Sequence, residues 1–417
     1  MPRPFPRTLP RPRLRSTAAV FTTMAALAAT SLVTGHSAAE PFSSAPCTLE
    51  RTEAHHSEGL DTWNSAYPRP ARALDAVMVF LSFPDARPLT SPAELTADHF
   101  PATTRFFEQA SYGRFTLRPH SLRHWIRMPR PSTSYAIQRD WSAPDRAAYL
   151  RDALAAADPQ VDFSRYDVVY FVADPDAPGV DSDATKVVNL DVPLRADGTD
   201  IRRVVTVFEK HPPDRLVLAH ETGHVFDLPD LYHRPADGKG DWDTYVGDWD
   251  LMGSQFGLAP DLFAWHKWKL GWLERRQVVC VRGPRPKRLT LEPLETGPGN
   301  AGIFGPGRGT KLAVVRTGDD SVLAFEARGA VGPDAAVCRQ GVLIYRVHSG
   351  TASGTGPVQV IDAHPRTEAC WENSVYPPLA DAPVDTGETF TVPDTKVQVR
   401  VTDRTPTGAW NVEITAG

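Results

Sequence analysis

The stretch Arg215–Tyr232, RLVLAHETGHVFDLPDLY, carries two histidines four residues apart, a glutamate beside the first, and two aspartates shortly after the second. Apolar residues precede and interrupt this cluster, so it reads as one face of a helix and not as a solvated charge run. Pro212 and Pro213 stand ahead of it; Asp214 is the expected N-cap and Arg215 to Phe226 the expected helix. On such a helix His220 and His224 lie one turn apart and can offer two imidazole nitrogens to a single metal ion. Glu221, on the flank of that face, is placed to handle a proton and not to serve as a third ligand.

These five residues form the HExxH pattern of zinc hydrolases, in which the glutamate is the general base. Counting on from His220 gives HExxHxxDxxD, with Asp227 and Asp230 at the eighth and eleventh positions. In the metzincin extension HExxHxxGxxH, a glycine ends the helix and the eleventh residue returns as third ligand. Asp230 can fill that role, because a carboxylate oxygen is an ordinary zinc donor. Asp227 stands where the glycine is expected, at a turn that asks for a left-handed backbone, which aspartate tolerates at some cost. In GDWDLMGSQ, Met252 lies twenty-two residues past Asp230, between Trp249–Asp250 and Gly253–Ser254. That setting suits the methionine turn beneath the metal.

HETGHVFDLPDLY, VGDWDLMGSQFG and PDLFAWHKWKLGWL together resemble the secreted immune-inhibitor-A-like metallopeptidases, zinc endopeptidases of the metzincin-like group. The likeness extends upstream through VMVFLSFPD and FFEQASYGRFTL and downstream to LAFEARGAVGPDAAVCRQGVLIYRV, so it spans roughly residues 74–350. It implies a zinc protease domain followed by a β-rich domain. On the family's motif His220, His224 and Asp230 fall on the ligand positions, Glu221 on the catalytic carboxylate and Met252 on the turn. Zinc with three protein ligands keeps one position for water, whose pKa falls to about 7. Glu221 would take that water's proton and return it to the leaving amine. Tyr232, Tyr245 and His233 are candidates for a further oxyanion donor.

The rest of the chain fits this frame. Five arginines precede STAAVFTTMAALAATSLV, and small residues follow near Ala39, so residues 1–39 read as a secretory signal peptide. Its removal deletes five positive and no negative charges, taking the formal charge from −5 to about −10, which disfavours a nucleic acid or anionic membrane as partner. The expected partner is a protein or peptide substrate, and the expected state a secreted monomer. Residues 40–73 are polar and irregular, an N-terminal arm. LDAVMVFLSF and YDVVYFVAD are buried strands flanking the amphipathic helix SAPDRAAYLRDALAAAD. Residues 74–275 therefore read as an α/β, metzincin-like catalytic domain, a mixed sheet with an active-site helix. From 276 to 417, short β segments such as KLAVVRT, SVLAFEAR and GVLIYRVHS alternate with Gly, Pro and Asp, predicting an all-β, sandwich-like domain.

Four cysteines in a secreted chain predict two bridges; of three pairings, Cys338–Cys370 lies within the β-rich region and leaves Cys47–Cys280 to tie the arm to a later segment. The acidic loops DGKGDWD (Asp237 to Asp243) and DPDAPGVDSD (Asp174 to Asp183) could take calcium, although a solvated loop is the commoner state of such sequences. Trp265, Trp268 and Trp272 recur at helical spacing and read as packing. A secreted zinc endopeptidase is the leading expectation, and the alternative is a non-catalytic secreted binding module on a protease fold.

Overall fold

Two strands with no polar face set the architecture. Leu74–Ser82 (β1) and Val168–Ala173 (β3) are buried along nearly their whole length, as strands covered on both sides must be. The computed structural model describes residues 47–214, 216–235, 239–297 and 309–417. Residues 1–39, expected to be a signal peptide, together with the start of the arm, Arg215 at the expected helix start and Asp237 of one acidic loop, lie outside them. The described residues belong to one compact unit, Phe42–Gly417.

β1 pairs in parallel with Leu117–Arg127 (β2) on one side and with β3 on the other. Parallel neighbours need crossovers. Pro92–His99 (α1) and Ala102–Ala110 (α2) supply the first, and Ala143–Ala157 (α3) the second. Ser91 opens α1 in a capping box with Glu94, and Ser142 caps α3 by accepting from the Asp145 N–H. A hairpin, Lys186–Ala196 (β4) and Thr199–Val207 (β5), completes the sheet in the order β2-β1-β3-β5-β4, with β4 the antiparallel edge. Its turn is Asp197-Gly198 with φ of 49° and 72°, the geometry that favours Asp-Gly in two-residue hairpins. The chain is thus a mixed α/β sheet in this part. Alternation along β1 sends Ala76, Met78 and Phe80 to the face that packs on α2, and Val77, Val79 and Leu81 to the face covered by α3.

The histidine helix, Val217–Val225 (α4), is shorter than the sequence predicts. It starts after Leu216, which is left-handed at φ 61° and caps nothing; Asp214 contributes only its carbonyl, to the Val217 N–H at 3.3 Å. Leu218, Ala219 and Val225 lie in the core shared with β1 and α2, and Phe226 meets Phe107 and Phe115 edge-on. Thr222 hydrogen-bonds the Tyr170 hydroxyl at 2.8 Å, pinning α4 to β3. Ala264–Lys269 (α5) follows. Its Trp265 and Trp268 and the nearby Trp272 are buried, and the indole N–H groups of Trp265 and Trp272 donate to the carbonyls of Glu58 and Pro70.

Among the described residues nine strands follow: Val278–Cys280 (β6), Lys287–Leu291 (β7), Leu312–Arg316 (β8), Ser321–Arg328 (β9), Gly341–His348 (β10), Val358–Val360 (β11), Thr389–Thr391 (β12), Gln398–Arg404 (β13) and Trp410–Thr415 (β14). They form two sheets, β11-β10-β9-β8-β6 and β12-β13-β14-β7. Val315, Phe325 and Ile344 of the first meet Val399, Trp410 and Val412 of the second in one apolar layer. The opposite face of the first sheet, with Val314, Ala324 and Tyr345, joins the core that also holds α4 and α5. This sheet is therefore a wall between the two halves. From the same face of β9 the fully buried Arg328 donates to the carbonyls of Trp249, Ala259 and Asp261.

The structure joins Cys47 to Cys280 and Cys338 to Cys370. The arm, irregular as its sequence implies, is woven into the core through Cys47, Leu49 and Leu60. No helix among the described residues is long and apolar enough to cross a membrane.

Candidate metal centre

Helix α4 turns His220 and His224 to one side, and the chain reverses after Phe226 to bring Asp230 back against them. His224 Nε2 stands 3.2 Å from His220 Nε2, and Asp230 Oδ1 lies 2.9 Å from the former and 3.4 Å from the latter. Both Nδ1 atoms are committed: the ring of His220 donates to the Leu251 carbonyl at 2.9 Å and that of His224 to the Leu228 carbonyl at 2.8 Å. The Nε2 atoms thus face each other and a carboxylate oxygen that has no hydrogen-bond donor of its own. Such a triangle of donors asks for positive charge at its centre. Burial opposes a proton on His224, yet Asp230 and then Glu221 hold its affinity up, to a pKa of about 9. Burial likewise opposes charge on Asp230, but the two histidines hold its carboxyl well below the usual range. Among the described residues, this is the one place where three His, Cys, Asp or Glu donors converge. The set fits zinc, which takes imidazole and carboxylate in this number.

Glu221 lines the same cleft of about 660 Å³. Its Oε2 accepts the Val187 N–H at 2.7 Å, from the edge strand β4. Burial pushes its carboxyl above the ordinary 4.5, as suits a group that must take a proton and give it back. Beneath the helix lies Met252, fully buried, its N–H held by Asp250 Oδ1 at 2.7 Å. A Cβ at Gly223 would overlap Met252 Sδ, so the glycine inside α4 is the clearance for the methionine. The same turn supplies the Leu251 carbonyl to His220, and the Met252 carbonyl accepts from Leu231 at 2.9 Å.

Asp227 does not approach the donor triangle. It sits at φ 66°, fully buried, and its carboxylate turns away to Arg51 Nη1 at 2.7 Å and His56 Nδ1 at 3.0 Å, both in the arm. Burial drives the His56 imidazole down to a pKa of about 3, so the neutral ring donates its Nδ1–H to Asp227 and stacks on His224 at 5.7 Å. Burial would raise the Asp227 carboxyl, but Lys269, His56 and Arg51 bring it down to about 2. Lys269 spans the joint, donating to the carbonyls of Ser57 and Asp227 at 2.8 and 2.7 Å. A second tie runs from Glu58 through His266 to Asp250, the residue that holds the methionine turn, over 2.8 and 3.0 Å.

The β-rich half reaches the centre as well. Ser353, in the loop after β10, accepts the Asp230 N–H at 2.8 Å and donates its hydroxyl to Asp230 Oδ2 at 3.1 Å. Sequence reasoning misses Ser353, Arg51, His56 and Val187. Only the adjacent histidines of the arm carried any signal; the serine sits in an ordinary Ser/Gly-rich turn. Of the three candidate oxyanion donors, Tyr232 lines the cleft, stacked on His220 at 6.4 Å, whereas Tyr245 and His233 pack on each other outside its lining. In the acidic loops, Asp174, Asp181 and Asp241 accept backbone N–H groups of their own turns. Asp243 also lines the cleft, its carboxyl pushed up to about 7 by burial, Asp241 and Asp248.

No family model matches the chain, and no curated protein does. Among solved structures, wild-type OgpA from Akkermansia muciniphila is similar at 10% identity over 85% of this chain and 96% of that one, with a TM-score of 0.25. A likeness of that degree carries no argument.

Proposed function

We propose that the protein is a secreted zinc-dependent endopeptidase. The observation that carries this reading is the convergence of His220 Nε2, His224 Nε2 and Asp230 Oδ1 in a cleft that also holds the Glu221 carboxylate. Those three atoms would hold the ion, and zinc when bound supplies a Lewis acid that polarises a carbonyl and lowers the pKa of water to about 7. The chain's own groups do the rest. With Oε2 held by Val187, Glu221 Oε1, which has no hydrogen-bond partner among the described residues, can accept a proton from water and pass it to the departing amine. The Leu251 and Leu228 carbonyls fix the ring orientation of the ligands, and Ser353 fixes the carboxylate. Lys186, Val187 and Asn189 of edge strand β4 border the cleft, where an extended peptide can lie alongside the sheet edge. Two disulfides and an apolar, arginine-led start support an oxidising, extracellular destination.

The test is Glu221→Gln, which keeps size but cannot take a proton. It should keep about one zinc per chain and the parent's unfolding temperature while peptide hydrolysis falls by at least ~10²-fold. Equal cleavage by the variant would refute the mechanism. A parent that binds zinc and cleaves nothing in a broad peptide library would be a binding module instead.

A further inference from the structure

Beside Glu221 the cleft has a cationic corner. Lys186 opens β4 one residue before Val187, the residue that holds Glu221, and its half-buried ammonium donates to the Arg139 carbonyl. The Arg139 guanidinium lies 5.2 Å from the centre of the Trp242 ring. Among the described residues, no carboxylate forms an ion pair with Lys186 or Arg139. Arg234, 6.0 Å from the same ring, differs in that Asp140 meets it at 2.7 Å. Trp242 stacks on Tyr232 at 5.4 Å, and Tyr232 on His220 at 6.4 Å. An aromatic shelf therefore leads from a ligand histidine to two cations that no carboxylate among the described residues contacts directly, Glu221 and Asp140 acting on Lys186 only from a longer distance, all within one cleft. The acidic pair Glu209 and Asp214 belongs to the segment ahead of α4, the Asp214 N–H reaching Glu209 Oε2 at 3.4 Å.

A half-buried ammonium with no carboxylate in direct contact is a costly arrangement that a ligand's anion relieves. Resting on the endopeptidase reading, we propose that Lys186 and Arg139, flanked by Trp242, bind a substrate carboxylate, so that the enzyme prefers peptides with aspartate or glutamate close to the cut bond. Lys186 adjoins the residue that holds Glu221, and an extended strand advances roughly 3.3 Å per residue. The acidic residue then falls within about two positions of the cut. Arg139 offers the planar fork that suits a carboxylate, and Lys186 a point charge beside it. A side chain or a free peptide C-terminus could bring this group, and only the side chain is compatible with internal cleavage.

The experiment uses fluorogenic peptides that differ only by Glu or Gln at each position flanking the cut, each as C-terminal amide and as free acid. The full chain, Lys186→Gln/Arg139→Gln and Lys186→Glu/Arg139→Glu are compared, with thermal unfolding checking each fold and Arg139→Gln alone as the milder variant. For the parent, kcat/KM should favour Glu over Gln by roughly tenfold or more among the amides. The preference should fade as salt rises from about 0.05 to about 1 M. It should vanish in the double glutamine variant and turn toward lysine in the double glutamate variant. Calorimetry with Glu221→Gln should show the same order in binding alone. A Glu-to-Gln ratio below two, a preference untouched by charge reversal, or a preference confined to free acids overturns the assignment and leaves the peptidase standing. Failure to cleave or bind any peptide overturns the peptidase reading itself, and this inference with it.

Discussion

Replacing Asp227 by the glycine of the HExxHxxGxxH pattern should harm this chain. At φ 66° glycine is the more comfortable residue, and Asp227→Gly should regain about 1 kcal/mol of backbone strain. The loss is larger. A buried carboxylate brought from 3.8 to about 2 by Lys269, His56 and Arg51 against the effect of burial contributes roughly 2–2.5 kcal/mol at neutral pH. Without it the buried His56 N–H has no acceptor, a further penalty of about 1–3 kcal/mol. The net expectation is a destabilisation of about 2–4 kcal/mol, read as a lower urea midpoint at unchanged slope. The sign of the pH dependence follows from the depressed carboxyl: its stabilisation is fully present above about 4 and is lost as pH falls toward 2. The gap between parent and variant should therefore hold constant from about pH 5 to 8 and narrow below about 4. A glycine variant as stable as the parent, or a gap indifferent to acid, would refute the claim that the arm clamps the turn after α4.

Ser353→Ala should weaken zinc binding about 10- to 100-fold in a chelator competition, because the Asp230 carboxylate loses its donor. Ser353→Thr should recover most of this, and unchanged affinity would remove the serine from the centre. Gly223→Ala should cost about 1–3 kcal/mol from its overlap with Met252, offset by up to ~1 kcal/mol of helix propensity. Pairing it with Met252→Ala should give a non-additive rescue, and strict additivity would refute the close approach. Replacing Cys47 and Cys280 by serine should cost about 2–5 kcal/mol and speed amide exchange at Leu49 and Leu60 before the strands of the β-rich half.

Where the physics is local, the sequence is readable. The histidine spacing places both imidazoles on one side of α4, and the unbroken apolar runs of β1 and β3 mark them as interior strands. The β4–β5 hairpin is harder, and the sequence reading passes straight from β3 to the histidine helix. β4 is an edge strand whose residues are mostly half-exposed, with Asp191 and Pro193 inside it, so its pattern is weak although Asp197-Gly198 marks its turn. Asp227 looks like a defect in the motif because its partner His56 lies 171 residues away. No periodicity carries that pairing. Asp214 illustrates the opposite error: a good capping residue by type, it is displaced because the chain enters α4 through the left-handed Leu216.

The joint between the arm, α4 and the loop after β10 also orders events during synthesis. Residue 353 leaves the ribosome 129 residues after His224, a delay of roughly 6–26 s at about 5–20 residues per second. Until then Asp230 lacks the hydroxyl that steadies it, and the sheet against which the helix packs is unfinished. Under the proposed function, a chain wired this way stays incompetent while nascent, so the order in which it emerges would itself shield the cell that makes it.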